Sequence, residues 1–122
     1  MRYVLATLLA ICGISEAGAS QLLATGPLEI DGNNVAVCNL INIGSAGVTL
    51  SPVGIYVDYQ PLPASSNTCG TTLLPGKTCR VVESTEIANY FECRVSVSDK
   101  TNIRGELEDR QGSVTVRHEA MR

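Results

Sequence analysis

Cys69-Gly70-Thr71-Thr72-Leu73-Leu74-Pro75-Gly76-Lys77-Thr78-Cys79 is a loop with a cysteine at each end and a turn inside it. Pro75 presets φ for the second position of a β-turn, and Gly76 takes the positive φ that a type II turn demands next. Leu74-Pro75-Gly76-Lys77 is therefore predicted to reverse the chain. A disulfide closing this ring would stabilise the fold by about 2.5–3 kcal/mol in the chain-entropy account. A regular hairpin about the turn would put Cys79 opposite Thr72. The arm of residues 69–71 must then fold back for the two sulfurs to meet.

Downstream, the chain reads as a meander of strands. Residues 77–83 leave the turn as a strand with Cys79 and Val81 on one face, and residues 83–89 are expected to form a short helical turn capped by Ser84. Residues 90–98 carry the clearest pattern: Phe91, Cys93, Val95 and Val97 alternate with Glu92, Arg94, Ser96 and Ser98. A strict period of two marks a strand with one wet face. Residues 99–102 form a polar loop, after which Ile103, Gly105 and Leu107 face inward and Arg104, Glu106 and Glu108 outward. Closing that loop as a hairpin would pair Val97 with Ile103 and set Arg94 opposite Glu106. Asp109-Arg110-Gln111-Gly112 reads as a further turn, with Val114 and Val116 resuming the inner face and residues 119–122 frayed.

Upstream of the loop, residues 21–31 hold a short apolar piece and then the polar turn Asp31-Gly32-Asn33. Residues 34–43 carry apolar side chains on both parities, as a central strand covered on each side does. Gly44-Ser45-Ala46-Gly47 is a turn, and residues 48–60 run back as a strand broken at Pro52. Residues 61–68 contain Pro61 and Pro63 among small polar residues, which predicts an exposed loop without ladder pairing.

The N-terminus has a different character. Arg2 precedes an apolar run over residues 4–11, and Ala17-Gly18-Ala19 supplies small residues for cleavage. This is the layout of a secretory signal peptide over residues 1–19, leaving residues 20–122 as the exported domain. A buried N-terminal helix and a lipidated Cys12 are the alternatives; against lipidation, Ile11 is not the small residue that should precede such a cysteine. The run is far short of the ~20 apolar residues needed to span a bilayer.

Removing the peptide takes Cys12 with it, so the five cysteines become four: Cys38, Cys69, Cys79 and Cys93. An even number suits two disulfides in an oxidising compartment. Four cysteines allow three connectivities. The tight loop favours Cys69–Cys79, and the inward parity of Cys93 with the buried strand around Cys38 makes Cys38–Cys93 its complement.

Charge narrows the partners. Arg2 and Glu16 leave with the peptide, taking one each from nine basic and twelve acidic residues, so the net charge stays −3. No basic stripe suited to nucleic acid or an anionic membrane results. About six or seven short strands with almost no helical pattern indicate an all-β fold, a single antiparallel β-sandwich of immunoglobulin-like architecture with two disulfides.

The arrangement of Cys38 and Asn42, Cys69…Leu73-Leu74-Pro75-Gly76…Cys79, Tyr90-Phe91-Glu92-Cys93-Arg94-Val95 and Ile103-Arg104 resembles a group of small uncharacterised secreted bacterial proteins. The Leu73-to-Cys79 element also resembles a turn of immunoglobulin-like modules in exported bacterial proteins. The resemblance covers most of the mature chain and implies export, to the periplasm or the medium, and a β-sandwich. It carries no catalytic or binding residue.

A search for chemistry points the same way. His118 is the single histidine, placed on the inner parity at a sheet end, and no Gly-x-Ser-x-Gly elbow appears. The cysteines lie 31, 10 and 14 positions apart, unlike the close pairs of structural zinc sites. Glu106, Glu108 and Asp109 read as a solvated strand end rather than a glycosidase pair. Asp31-Gly32-Asn33-Asn34 lacks the acidic repeat of a calcium loop. With no tryptophan and Phe91 in the core, sugar recognition is weakly supported, though Tyr56 is a candidate to face outward.

These readings lead to a non-catalytic exported protein without cofactor or metal, with a structural or protein-binding role or self-association. The alternative is a secreted inhibitor or effector that presents Pro61, Leu62, Pro63, Ala64 and Ser65 to a protein target.

Overall fold

A computed structural model describes residues 20–122. The expected signal peptide, with Cys12, lies outside the described residues. Among these residues the chain forms β1 (Gln21–Ala24), β2 (Leu28–Ile30), β3 (Val35–Asn42), β4 (Val48–Thr49), β5 (Gly54–Val57), β6 (Gln60–Pro61), β7 (Ser66–Asn67), β8 (Thr72–Leu73), β9 (Thr78–Ser84) and β10 (Asn89–Val97). One turn of 3-10 helix, Lys100–Asn102, leads into β11 (Ile103–Gln111) and β12 (Val114–Ala120). The fold is all-β and antiparallel. It has twelve strands in three sheets rather than six or seven, because several expected strands are interrupted.

The first sheet runs β1-β10-β5-β6, with β2 also on β10. The second runs β12-β11-β3-β9-β7, and β4 and β8 form a separate pair. Each large sheet is built about the strand with the strongest pattern. In β10, Phe91, Cys93, Val95 and Val97 are buried, as the period of two requires. β3 lies between β9 and β11 and is buried at Ala36, Val37, Cys38, Leu40 and Asn42, as expected of a central strand. The inward residues of both sheets, with Val48, Leu50, Val53 and Leu73 from the connections, form one apolar cluster. Burying each large aliphatic or aromatic side chain contributes about 1.5–3 kcal/mol.

Cys38–Cys93 joins the middle strands of the two sheets with Cα atoms 6.0 Å apart. Cys69–Cys79 closes the loop at 4.9 Å. The expected hairpin between them is replaced by another arrangement. The turn forms, with Gly76 at φ 71° and Lys77 N donating to Leu74 O at 3.1 Å. Leu73 and Thr72, however, pair with Val48 and Thr49 of β4. β7 pairs with β9 as Ser66 opposite Val82 and Asn67 opposite Val81, and Thr68 N donates to Arg80 O at 2.9 Å. Continuing that register sets Cys69 directly opposite Cys79, where a cross-strand disulfide fits without a fold-back.

Residues 61–68 are exposed as expected apart from the half-buried Leu62, but they do enter ladders. Pro61 pairs with Tyr56 at the outer position of its sheet, where a missing N–H costs nothing. Residues 83–89 contain no helix.

The Val97–Ile103 hairpin is also absent. The 3-10 turn, capped by Asp99 accepting from Thr101 N, carries the chain from one sheet to the other. β11 pairs with β3 and β12, so Glu106 faces Asn39 and Ala120. Arg94 instead meets Glu92, with Nη2–Oε2 2.6 Å.

β11 extends through the expected turn at 109–112, and the reversal falls on Gly112-Ser113, with Gly112 at φ 62°. Val114 and Val116 are exposed rather than inward, as is most of β12, the outermost strand of its sheet, and the register shifts between Asp109 and Arg110. The C-terminal residues are paired, not frayed: Arg122 N donates to Ala24 O at 3.0 Å and Ala24 N to Arg122 O at 3.2 Å. No helix among the described residues is long and apolar enough to cross a membrane.

Candidate functional site

A strand in the middle of a sheet presents alternate residues to each face, so the side chains of β3, β9 and β11 that leave the core meet on the outer surface of the second sheet. There they line an open cleft of about 750 Å³. Arg104, Glu106, Glu108 and Arg110 form one row along β11. Ile41 and Asn39 of β3 stand opposite Arg104 and Glu106, and Thr78 and Arg80 of β9 form the next row. Thr68, beside the Cys69–Cys79 bridge, closes the cleft at the β7 side.

The charges are not evenly paired. Arg110 Nε holds Glu108 Oε2 at 2.7 Å. His118 Nδ1 lies 3.7 Å from Glu106 Oε2. Arg104 Nη1 donates to the carbonyls of Thr101 at 2.8 Å and Ile103 at 3.0 Å. Among the described residues, neither Arg80 nor Arg104 has a carboxylate partner. A chain of net charge −3 thus carries a face on which three arginines meet two carboxylates and two of the guanidinium groups are in no ion pair.

Glu106 and Glu108 are alternate residues on the outer face of β11. The hydrogen bond to Glu108 raises the pKa of Glu106, with burial and the Glu108 charge acting in the same direction against His118 and Arg110. Burial pushes Glu108 up, but hydrogen bonds from Glu106, Arg110 and Asn39 together with the Arg110 charge outweigh it and leave Glu108 lowered. Folding therefore makes Glu106 easier to protonate than an ordinary carboxyl. Its contribution to stability is complete below the ordinary carboxylate range and is lost as pH rises through its raised pKa. Glu108 behaves oppositely, contributing above the ordinary range and losing that contribution as pH falls through its lowered pKa. Glu106→Gln supplies an N–H donor to Glu108 at every pH. Across about pH 4–7, its thermal midpoint is expected to gain on that of the wild type as pH rises. Parallel midpoint curves would exclude the shared proton as their cause.

The structure redistributes the other candidate residues. Pro61, Leu62, Pro63, Ala64 and Ser65 cross from β6 to β7, held by Leu62 N on Ile55 O and Ser65 N on Val82 O, both 2.8 Å. His118 is not on the inner face but opposite Glu108 and exposed. Glu108, expected in solvent, is buried on the outer face, and Asp109 is fully buried on the inner one. Asp109 accepts from Asn34 Nδ2 at 2.8 Å, which fastens the Asp31–Asn34 turn to β11. No group of three or more His, Cys, Asp or Glu among the described residues is placed to hold a metal ion. Arg80, on β9 between the inward Cys79 and Val81, escaped the sequence reading although its outward parity was visible there.

Comparison with protein-family profiles, with curated proteins and with solved structures finds no match for this chain.

Proposed function

We propose that the protein is an exported, disulfide-stapled β-sandwich of immunoglobulin-like architecture that binds a protein partner in the periplasm or outside the cell and catalyses no reaction. The two large sheets share one core and are linked at their centres by Cys38–Cys93, which supports the sandwich reading. Two closed disulfides support an oxidising compartment.

The observation that carries the binding role is the pair of guanidinium groups outside any ion pair, Arg80 and Arg104, on the outer face of the second sheet. Arginine forks recognise carboxylates with geometric specificity, so the partner would present an acidic segment. The test is affinity capture from envelope and medium fractions with the wild type and with Arg80→Glu/Arg104→Glu, each first shown to be folded by circular dichroism. A captured protein should be released by raising salt and should be absent from the double variant. Identical capture by both proteins would refute the reading.

A second reading, that residues 61–65 are presented as an inhibitory loop, is favoured by one observation: both ends of this exposed segment are anchored to strands. Anchoring lowers the ordering cost of binding. If cleavage of that loop leaves every tested protease fully active, it is not an inhibitor.

A further inference from the structure

The outer face of the first sheet, opposite the arginine cleft, gathers three tyrosines. Tyr56 on β5 stands opposite Glu92. Tyr90 shares the outward parity of Glu92 and Arg94 and is 58% exposed. Tyr59, in the turn between β5 and β6, is 77% exposed. The Arg94 guanidinium lies over two of these rings, 5.3 Å from the Tyr56 centroid and 5.2 Å from that of Tyr59. Glu92 Oε2 fixes it from the side, accepting from Nε at 3.0 Å and from Nη2 at 2.6 Å. Tyr56 reaches across Gly54, where an added Cβ would come within 2.7 Å of its ring. The glycine makes room for the ring.

The turn that carries Tyr59 is unusual in composition. Asp58 has φ 48° and Tyr59 φ 64°, both left-handed. Two-residue hairpin turns of this kind take glycine or asparagine because a bulky side chain is strained there. A bulky ring kept at a strained and exposed position points to a role for the ring.

We propose that this face binds a neutral, linear saccharide. Tyrosine rings offer flat apolar surfaces against which the C–H face of a sugar packs; Arg94 covers one face of Tyr56 and of Tyr59, and the exposed Tyr59 and Tyr90 rings supply the free surface. The Arg94–Glu92 pair is locally neutral and held in one geometry, with Glu92 Oε1 and the remaining guanidinium N–H groups left for hydroxyls. Rigid aromatic surface beside a few fixed polar groups is how small-ligand sites combine affinity with orientation. A charged ligand would have to compete with an ion pair already made. This site lies on the opposite sheet from Arg80 and Arg104 and is independent of the function proposed above.

The molecule carries its own reporter. It has no tryptophan, and its fourth tyrosine is Tyr3, so tyrosine emission from residues 20–122 comes entirely from this face. The protein, expressed as the full chain, is titrated with cellotetraose, chitotetraose and maltotetraose while tyrosine fluorescence and backbone amide shifts are recorded. At least one should give a saturable change centred on Gly54, Tyr56, Tyr59 and Arg94. Tyr59→Gly should weaken that binding roughly tenfold or more, the loss of about one aromatic stack, while its thermal midpoint stays equal to or above that of the wild type. Unfolding therefore does not explain the loss. Arg94→Lys, which keeps the charge but not the fork, should also weaken binding. No response to any of the three saccharides, shifts centred elsewhere, or unchanged binding by Tyr59→Gly would overturn the proposal. Concentration-dependent dimerisation that Tyr59→Gly abolishes would overturn it too, by assigning the face to a second copy of the chain.

Discussion

Replacing Cys38 and Cys93 together with alanine is expected to destabilise the protein by about 4 kcal/mol, the chain-entropy value for cysteines this far apart. They are 55 positions apart, against 10 for Cys69 and Cys79, whose removal should cost about 2.5–3 kcal/mol on the same account. Packing widens the gap. Cys38 and Cys93 are both fully buried between the sheets, so alanine also leaves voids in the core. Cys69 is only half-buried at the rim. For a domain of this size about 4 kcal/mol lowers the thermal midpoint by roughly 15–30 °C, a large share of the ~5–15 kcal/mol that holds a typical domain together. Urea denaturation of the two double variants tests this directly, since chemical reduction would open both bridges at once. If Cys38→Ala/Cys93→Ala costs no more than Cys69→Ala/Cys79→Ala, the bridge between the sheets is not the main staple.

Both bridges were legible in the sequence, and the reason is local. Phe91, Cys93, Val95 and Val97 alternate without a break, so the parity of Cys93 follows from its neighbours. The apolar residues on both parities around Cys38 give that strand its central place in the same way. Parity, however, says which face a residue takes and not which strand lies beside it. The Val97–Ile103 hairpin was a sound reading of the loop length and was wrong. Asp99 caps a 3-10 turn there, and the partners of β11 are set by the packing of β3, 61 to 75 residues upstream in a register that no local pattern encodes. Asp109 was lost for a related reason. Asp-Arg-Gln-Gly has turn composition, and the donors that make a buried carboxylate tenable at that point, Asn34 Nδ2 and Asp31 N, lie 75 and 78 positions away.

The surfaces were less legible than the core. Arg104, Glu106 and Glu108 were assigned outward and do face outward, yet the cleft depends on Arg80 arriving from β9 through two successive registers. The tyrosine face likewise joins positions 56, 59 and 90, and its orientation depends on a hairpin whose second turn residue, Tyr59, is a poor candidate for left-handed φ. A sequence reading assigns such a residue to a strand, and so the turn at Asp58-Tyr59 falls within the strand expected over residues 48–60, whose one expected break is at Pro52.

Asn42 marks the point where these long-range registers are locked, and Asn42→Ala is expected to cost about 2–3 kcal/mol, since the Leu73 carbonyl loses its partner in the interior and the Ala46 carbonyl and Gly44 N–H lose theirs nearer the surface. The residue is fully buried at the end of β3. Its Nδ2 donates to Ala46 O and to Leu73 O, both at 2.8 Å, and its Oδ1 accepts from Gly44 N at 2.8 Å. Its backbone is engaged as well: Asn42 N donates to Lys77 O at 3.1 Å and Gly76 N to Asn42 O at 2.8 Å. One residue thereby holds the 44–47 turn, the β4–β8 pair and the Pro75-Gly76 turn in one arrangement. This fits the pairing of Thr72 and Leu73 with β4 rather than with β9: Asn42 satisfies the Leu73 carbonyl that a hairpin ladder would otherwise have used. Asn42→Asp is isosteric but aims a carboxyl at two carbonyl oxygens, so it should be at least as damaging as alanine, which merely leaves them unpaired. Hydrogen exchange should place the damage, with amide protection lost first at Gly44, Gly76 and Lys77 while the centre of β10 is retained. A cost below about 1 kcal/mol for both variants, or loss spread evenly over the two sheets, would show that packing alone holds the loop and that Asn42 is a passenger.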